Sequence, residues 1–131
     1  MDGDFATGEY RLETSKDTVT LVRQGVVRAG IEYPVCIRKT VSLRPRASEF
    51  EIRYDLVQTG NGALTTLFGV EWAVNLLSGS AFDRYYRSDD RDMHYTKLGE
   101  MGCDDGLSHI ALRDDWQRLE CALRFDRPAR V

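Results

Sequence analysis

Apolar and polar positions alternate along most of the chain, and this alternation predicts β-strands. Successive side chains of a strand point to opposite faces, so a period of two gives one apolar and one polar face. The segment from Glu49 to Leu56 is the clearest case, because its even positions are apolar and its odd positions are charged. Further strands are predicted within Asp4–Leu12 and over Thr18–Arg28, Tyr33–Leu43, Leu107–Arg113 and Leu119–Phe125.

The longest apolar run, Thr66–Leu77, predicts one long strand entered from a hairpin turn at Thr59–Gly62. One face of this strand would carry five large apolar side chains, which we expect in the core: Phe68, Val70, Trp72, Val74 and Leu76. The opposite face would set Glu71 and Asn75 among the small residues Gly69 and Ala73. Such a face leaves room for a ligand or for the side chains of another sheet.

The segments 82–97 and 99–106 are charged or irregular, and they predict long loops around at most one short strand near Met93–Leu98. No segment of ten or more residues has a convincing helical period. Short strands punctuated by turns, without interleaved helices, favour an all-β, antiparallel β-sandwich. The length of 131 residues fits a single domain over 1–131.

Composition narrows the classes of function. Hydrophobic residues make up 42% of the chain, and the net charge of −3 provides no basic field for nucleic acid. No apolar run approaches the roughly 20 residues of a membrane span, and no signal-peptide pattern is present, so we expect a cytoplasmic protein without membrane contact. Cys36, Cys103 and Cys121 form no CxxC pair, which favours reduced thiols and leaves a Cys36–Cys121 disulfide open. The absence of phosphate-binding and dinucleotide glycine motifs predicts no cofactor.

Four segments together carry a family resemblance. Leu67–Leu77 resembles the signature strand of the C-terminal domain of bacterial and archaeal α-amylase/4-α-glucanotransferase enzymes of glycoside hydrolase family 57. Asp4–Leu12, Tyr33–Thr40 and Ile110–Trp116 resemble other segments of that domain in the same order. The resemblance implies a galactose-mutarotase-like β-supersandwich, attached behind a catalytic (β/α)7 barrel. It also implies a partial, C-terminally truncated domain, because family members continue beyond the position that matches Phe125.

The resemblance further implies a non-catalytic accessory domain with no catalytic residues of its own. Its expected partners are the catalytic barrel of the parent enzyme and an α-glucan or maltooligosaccharide. Exposed sheet edges at the truncation could also pair with a second copy and form a homodimer. A purely structural domain that binds no sugar is the alternative.

Two groups of residues are candidates for carbohydrate contact. Glu71 and Asn75 can exchange hydrogen bonds with sugar hydroxyls, although Glu71 could instead be a buried ion-pair partner of Arg38 or Arg53. The second group consists of aromatic residues in or beside the predicted loops: Tyr85, Tyr86 and Trp116. Their flat faces suit the C–H faces of glucose units, and ordinary loop anchoring is the alternative.

Two other chemistries are weaker hypotheses. His94, His109 and Glu71 could supply the acid and base of a mutarotase-like epimerase, but no spacing places them together. The acidic sets 89–92 and 104–105 are loose candidates for calcium ligands that fit no EF-hand spacing, so no metal is expected.

Overall fold

The computed structural model describes residues 2–74, 76, 78–93 and 96–131. In those ranges the chain forms eight strands and irregular connections, and it contains no helix that could span a membrane. The strands are β1 (Asp2–Gly3), β2 (Arg11–Thr14), β3 (Thr18–Ala29), β4 (Ile31–Leu43), β5 (Phe50–Gln58), β6 (Arg84–Arg87), β7 (Leu107–Asp114) and β8 (Leu119–Ala129). They belong to two compact units, Met1–Val70 and Glu71–Val131.

The first unit contains a five-stranded antiparallel sheet. Its strand order is β1-β3-β4-β5, and β2 pairs with β3 beside β1. β3 and β4 form a long hairpin that reverses at Gly30, whose φ of 81° lies in the region that glycine adopts without steric cost. Val35 and Ile37 of β4 are buried and form the apolar centre of this sheet.

Gly25 is required by a close backbone approach within the first unit. A Cβ atom at Gly25 would lie 2.3 Å from Oδ1 of Asp4 and 2.8 Å from the ring of Phe5. The same Asp4 oxygen accepts a hydrogen bond from the backbone N–H of Val26 (3.0 Å), and Oδ2 pairs with Arg23 (3.1 Å). The missing side chain therefore lets the N-terminal segment lie directly on β3.

The second unit contains a three-stranded antiparallel sheet with the order β6-β7-β8. The central strand β7 carries its apolar core, Leu107, Ile110, Ala111 and Leu112, all of them buried. The register with β8 shifts between Leu107 and His109, as in a β-bulge. Because these four apolar side chains are buried, the second unit has a core of its own.

The predicted all-β, antiparallel fold class is confirmed, since two antiparallel sheets account for all the described strands, consistent with a β-sandwich. Five of the predicted strands correspond to β3, β4, β5, β7 and β8. β6 lies in a segment predicted as loop. The short strand predicted near Met93–Leu98 is absent from its described residues, where Lys97 forms only an isolated bridge with Tyr85.

The predicted long strand over Thr66–Leu77 is wrong in its described part. No strand is assigned from residue 63 to 74 or at Leu76, whereas Asn75 and Leu77 lie outside the described residues. Four residues of the expected core face are exposed, Phe68, Val70, Trp72 and Val74, and Leu76 is half-buried. Phe68 makes a ring contact with Tyr54 at 5.2 Å. Alternation describes a side-chain pattern, but a strand also needs a neighbouring backbone to pair with. None of the described strands supplies one here.

The three cysteines are free thiols. Cys36 and Cys121 are half-buried and Cys103 is exposed, so the Cys36–Cys121 disulfide left open by the sequence is not formed.

Candidate functional site

The hairpin between β7 and β8 is held by a buried carboxylate. Asp114 is 2% exposed, and its Oδ1 accepts a hydrogen bond from the backbone N–H of Gln117 (2.9 Å). Its Oδ2 pairs with Nε of Arg84 (2.9 Å) on the neighbouring strand. These contacts, the Gln117 hydrogen bond foremost, hold the pKa of Asp114 below its ordinary value against the opposing effect of burial. The turn is therefore anchored by an ionised side chain with two firm partners.

Trp116 lies at the tip of this hairpin. Its side chain is 79% exposed, which is unusual for the largest apolar residue type. The next residue but one, Arg118, has a positive φ of 53°, a value that completes the tight reversal into β8. A rigid, well-anchored turn thus presents an indole to solvent.

Of the two predicted tyrosines, Tyr85 lies beside the turn. Its hydroxyl donates to Oδ2 of Asp115 at 3.3 Å, and Asp115 directly precedes Trp116. Tyr85 is opposite Arg113 in the β6–β7 register, and Tyr86 is opposite Leu112. Because neighbouring residues of a strand face opposite sides, Tyr86 lies on the other face of the sheet. The structure brings Tyr85 and the Trp116 turn together and does not bring Tyr86 to them.

A row of alternating charges continues from the turn across the same face of the sheet. We call it the charged row, and it consists of Asp115, Arg113, Glu120, Arg87 and Asp89. Consecutive members are linked by ion pairs of 2.7, 3.6, 2.9 and 2.8 Å. The hydrogen bond from Arg87 is the main cause of the lowered pKa of Glu120. The row offers both hydrogen-bond donors and acceptors.

An open depression of about 500 Å³ lies where the charged row meets the turn. Its lining residues are Arg113, Asp115, Arg118, Leu119 and Glu120. In the described part of the chain no hydrogen bond or ion pair engages Arg118, so its guanidinium is a free donor. The depression combines carboxylate acceptors, guanidinium donors and the apolar Leu119 next to the exposed indole. This arrangement can bind a polyhydroxylated ligand with a flat apolar face.

Glu71 lies in the part of the predicted strand that the structure describes, where no strand is assigned. Glu71 is exposed in the irregular segment, and none of the described residues makes an ion pair or hydrogen bond with it. The alternative of a buried Glu71 ion pair is therefore wrong, and Arg53 pairs with Asp55 instead (2.8 Å). Asn75 lies outside the described residues.

His109, considered from the sequence as an epimerase acid or base, is buried in β7. The side chain is 2% exposed, and its Nδ1 accepts a hydrogen bond from the backbone N–H of Asp89 (3.0 Å). In a neutral imidazole the proton is then on Nε2, which is buried and has no hydrogen-bond partner among the described residues. Of its two expected epimerase partners, Glu71 is exposed, and His94 lies outside the described residues.

The side chain of Asp90, in the segment that follows β6, is hydrogen-bonded to the beginning of β7. Its carboxylate accepts hydrogen bonds from the backbone N–H and hydroxyl of Ser108 (both 2.6 Å) and from the backbone N–H of His109 (2.9 Å). The Ser108 hydrogen bonds are the main cause of its lowered pKa. Four of the five carboxylates considered for calcium, Asp89, Asp90, Asp104 and Asp105, accept hydrogen bonds or form ion pairs within the protein. Within the described ranges no group of three or more His, Cys, Asp or Glu residues could hold a metal ion.

Comparison with protein-family models matches residues 1–131 to the family described as alpha-amylase/4-alpha-glucanotransferase, C-terminal. The chain belongs to this family. Searches of curated proteins and of solved structures found no match.

Membership confirms the resemblance expected from the sequence and makes the chain a C-terminal domain of amylase/glucanotransferase-type enzymes. Of the five predicted contact residues, none of those that the structure describes lines the depression itself. Trp116 lies in the turn between two of its lining residues, Asp115 and Arg118, and Tyr85 donates a hydrogen bond to Asp115. The sequence analysis missed Arg113, Arg118 and Glu120. Only their positions around the predicted turn could have indicated them.

Proposed function

We propose that this chain is a non-catalytic accessory domain of an α-glucan-acting enzyme and that it contacts carbohydrate at the β7–β8 hairpin. The observation that carries the proposal is the indole of Trp116, 79% exposed on an anchored turn beside a polar depression. Family membership supplies the substrate class, because the family's description names α-amylase and 4-α-glucanotransferase enzymes. The ligand would be an α-glucan or maltooligosaccharide.

The chemistry of the depression fits such a ligand. One face of the Trp116 ring can cover the C–H face of a glucose unit, which removes apolar surface from water. The free guanidinium of Arg118 can donate to sugar hydroxyls, and the carboxylate of Asp115 can accept from them. Because the turn is already ordered by Asp114, binding would cost little conformational entropy.

The electrostatics of the depression favour a binding role over a catalytic one. Glycoside hydrolysis uses one carboxylic acid whose raised pKa keeps it protonated as a proton donor. The hydrogen bond from Arg87 shifts the pKa of Glu120 in the opposite direction. Glu120 would therefore remain ionised near neutral pH, suited to accepting hydrogen bonds and unsuited to protonating a leaving group.

Affinity electrophoresis tests sugar contact directly. The chain should migrate more slowly in a native gel that contains soluble starch than in a plain gel, and a gel with hydroxyethylcellulose should not retard it. Equal mobility in all three gels would contradict carbohydrate contact. Release of shorter sugars from maltoheptaose incubated with the chain would contradict the non-catalytic role.

A structural role against the catalytic barrel is the second candidate. It is favoured by three exposed apolar side chains in the irregular end of the first unit: Leu67, Phe68 and Val70. Such residues commonly mark surfaces that another domain covers. Replacement of Leu67, 97% exposed, by Asp should weaken association with the separately expressed barrel of the parent enzyme while leaving starch retardation unchanged. Unchanged association would argue against this surface.

A further inference from the structure

The outer edge of β5 is the longest unpaired sheet edge of the first unit. β5 is the terminal strand in the order β1-β3-β4-β5, and no strand within the described ranges pairs with its outer side. It extends over nine residues, Phe50–Gln58, in unbroken register with β4. An edge of this kind exposes backbone N–H and C=O groups that can pair with another strand.

The hydrogen bonds to β4 determine which backbone groups face outward. The N–H of Thr59 donates to the carbonyl of Pro34 at 2.9 Å, so this residue faces β4. In an antiparallel ladder alternate residues face the same neighbour. The odd-numbered residues of β5 therefore pair with β4, and the backbone groups of Ile52, Tyr54 and Leu56 face outward.

The sequence of β5 is self-complementary about Tyr54. Arg53 and Asp55 flank Tyr54, and Ile52 and Leu56 lie one position further out. When a second β5 runs antiparallel with Tyr54 opposite Tyr54, Arg53 faces Asp55 and Ile52 faces Leu56. We propose that the outer edge of β5 pairs antiparallel with β5 of a second copy of this chain, with the two-fold axis at Tyr54. The result would be one continuous sheet through both copies.

This register places opposite charges together. Tyr54 and its counterpart form a hydrogen-bonded pair, so Arg53 and Asp55 occupy the non-hydrogen-bonded positions, where facing side chains are closest. Arg53 of each copy faces Asp55 of the other. Both side chains lie on one face of the sheet, since they already form an ion pair within the chain at 2.8 Å. A register shifted by two residues in either direction would lose both matches and would place Arg53 or Asp55 opposite its own counterpart.

Apolar matches reinforce the charge pattern. Ile52 of each copy faces Leu56 of the other, on the face that Tyr54 shares. Phe50, Leu56 and Val57 are all exposed in the single chain, and pairing would cover part of their surface. These exposed side chains distinguish β5 from an edge strand protected by polar residues alone.

Charge-reversal variants test the register. Arg53→Asp alone places Asp opposite Asp twice in a self-pair, and Asp55→Arg alone places Arg opposite Arg twice. Each variant alone should self-associate on the order of tenfold to a hundredfold more weakly than the wild type. An equimolar mixture of the two variants restores both opposite-charge pairs, so the mixture should form heterodimers. Sedimentation equilibrium from micromolar to millimolar concentration measures all three samples.

A matched control comes from the other edge strand. Arg11 and Glu13 of β2 form a similar pair two residues apart (2.8 Å), so Arg11→Asp makes the same change at a strand of only four residues. This variant should dimerise like the wild type. Circular dichroism of every variant confirms folding. A wild type that stays monomeric, or a mixture no more associated than its components, would overturn the proposal, as would loss of the dimer in Arg11→Asp.

Discussion

Replacement of Trp116 by alanine removes the flat apolar surface at the centre of the proposed site. The indole is 79% exposed at the hairpin tip, so the folded chain loses little packing with it. We expect a change in the free energy of unfolding within about 0.5 kcal/mol, the usual range for surface substitutions. A loss of sugar-binding free energy larger than this change in stability then reflects the missing contact between the indole and the sugar.

The expected loss of affinity follows from the area that one sugar ring can cover. A tryptophan buries about 150–250 Å² when fully enclosed, so one face gives about 80 Å². At about 25 cal/mol per Å² this corresponds to about 2 kcal/mol, or about 30-fold in the dissociation constant. Trp116→Phe keeps a smaller ring and should lose less.

Isothermal titration with maltoheptaose measures this difference. Met101→Ala is a matched control, because Met101 is also a large apolar residue of the second unit and is 95% exposed. The control should bind like the wild type. Equal affinity of Trp116→Ala and the wild type would refute stacking at the turn, even if sugar binding itself is observed.

Three further predictions test the structure itself. Leu107→Ala, at a residue with no exposed surface, should lower the free energy of unfolding by about 2–5 kcal/mol, measured by urea denaturation, whereas Met101→Ala should change it little. The lowered pKa of Asp90 means that its stabilising contribution is present above the ordinary pKa of 3.8 and is lost as the pH falls through the lowered value. The urea midpoint of Asp90→Asn should therefore fall less than that of the wild type on acidification. Backbone amides from Leu67 to Val74 should exchange with solvent faster than those of β7, and equal protection would mean that this segment is a strand after all.

Strands with local signals were predictable from the sequence. Residues 49–56 alternate strictly, turn residues follow a few positions later, and β5 forms there. β6 carries no such signal, because its four residues, Arg84–Arg87, are charged or aromatic and are held through pairing with β7. The apolar run from Leu67 shows the converse. Its alternation is strong, but pairing is non-local, and side-chain pattern alone does not supply a partner strand.

The candidate site was predictable only in part. Trp116 and Tyr85 were identifiable because aromatic residues near a turn often remain exposed, and the structure places Tyr85 beside the turn. Glu71 was singled out from a strand face that is not formed. Arg113 and Glu120 meet in the charged row because they are opposite each other in the β7–β8 register. The local sequence does not determine that register. The expectation of cytoplasmic location remains a prediction.

Chemical-shift mapping with maltoheptaose tests the central claim most directly. In ¹H–¹⁵N spectra of the labelled chain, the indole N–H of Trp116 and the backbone amides around the depression, from Arg113 to Glu120, should shift on titration. Amides of β3 and β4 should stay in place. An unchanged spectrum at saturating sugar would contradict carbohydrate contact by this domain, and shifts confined to residues away from the β7–β8 hairpin would contradict the site.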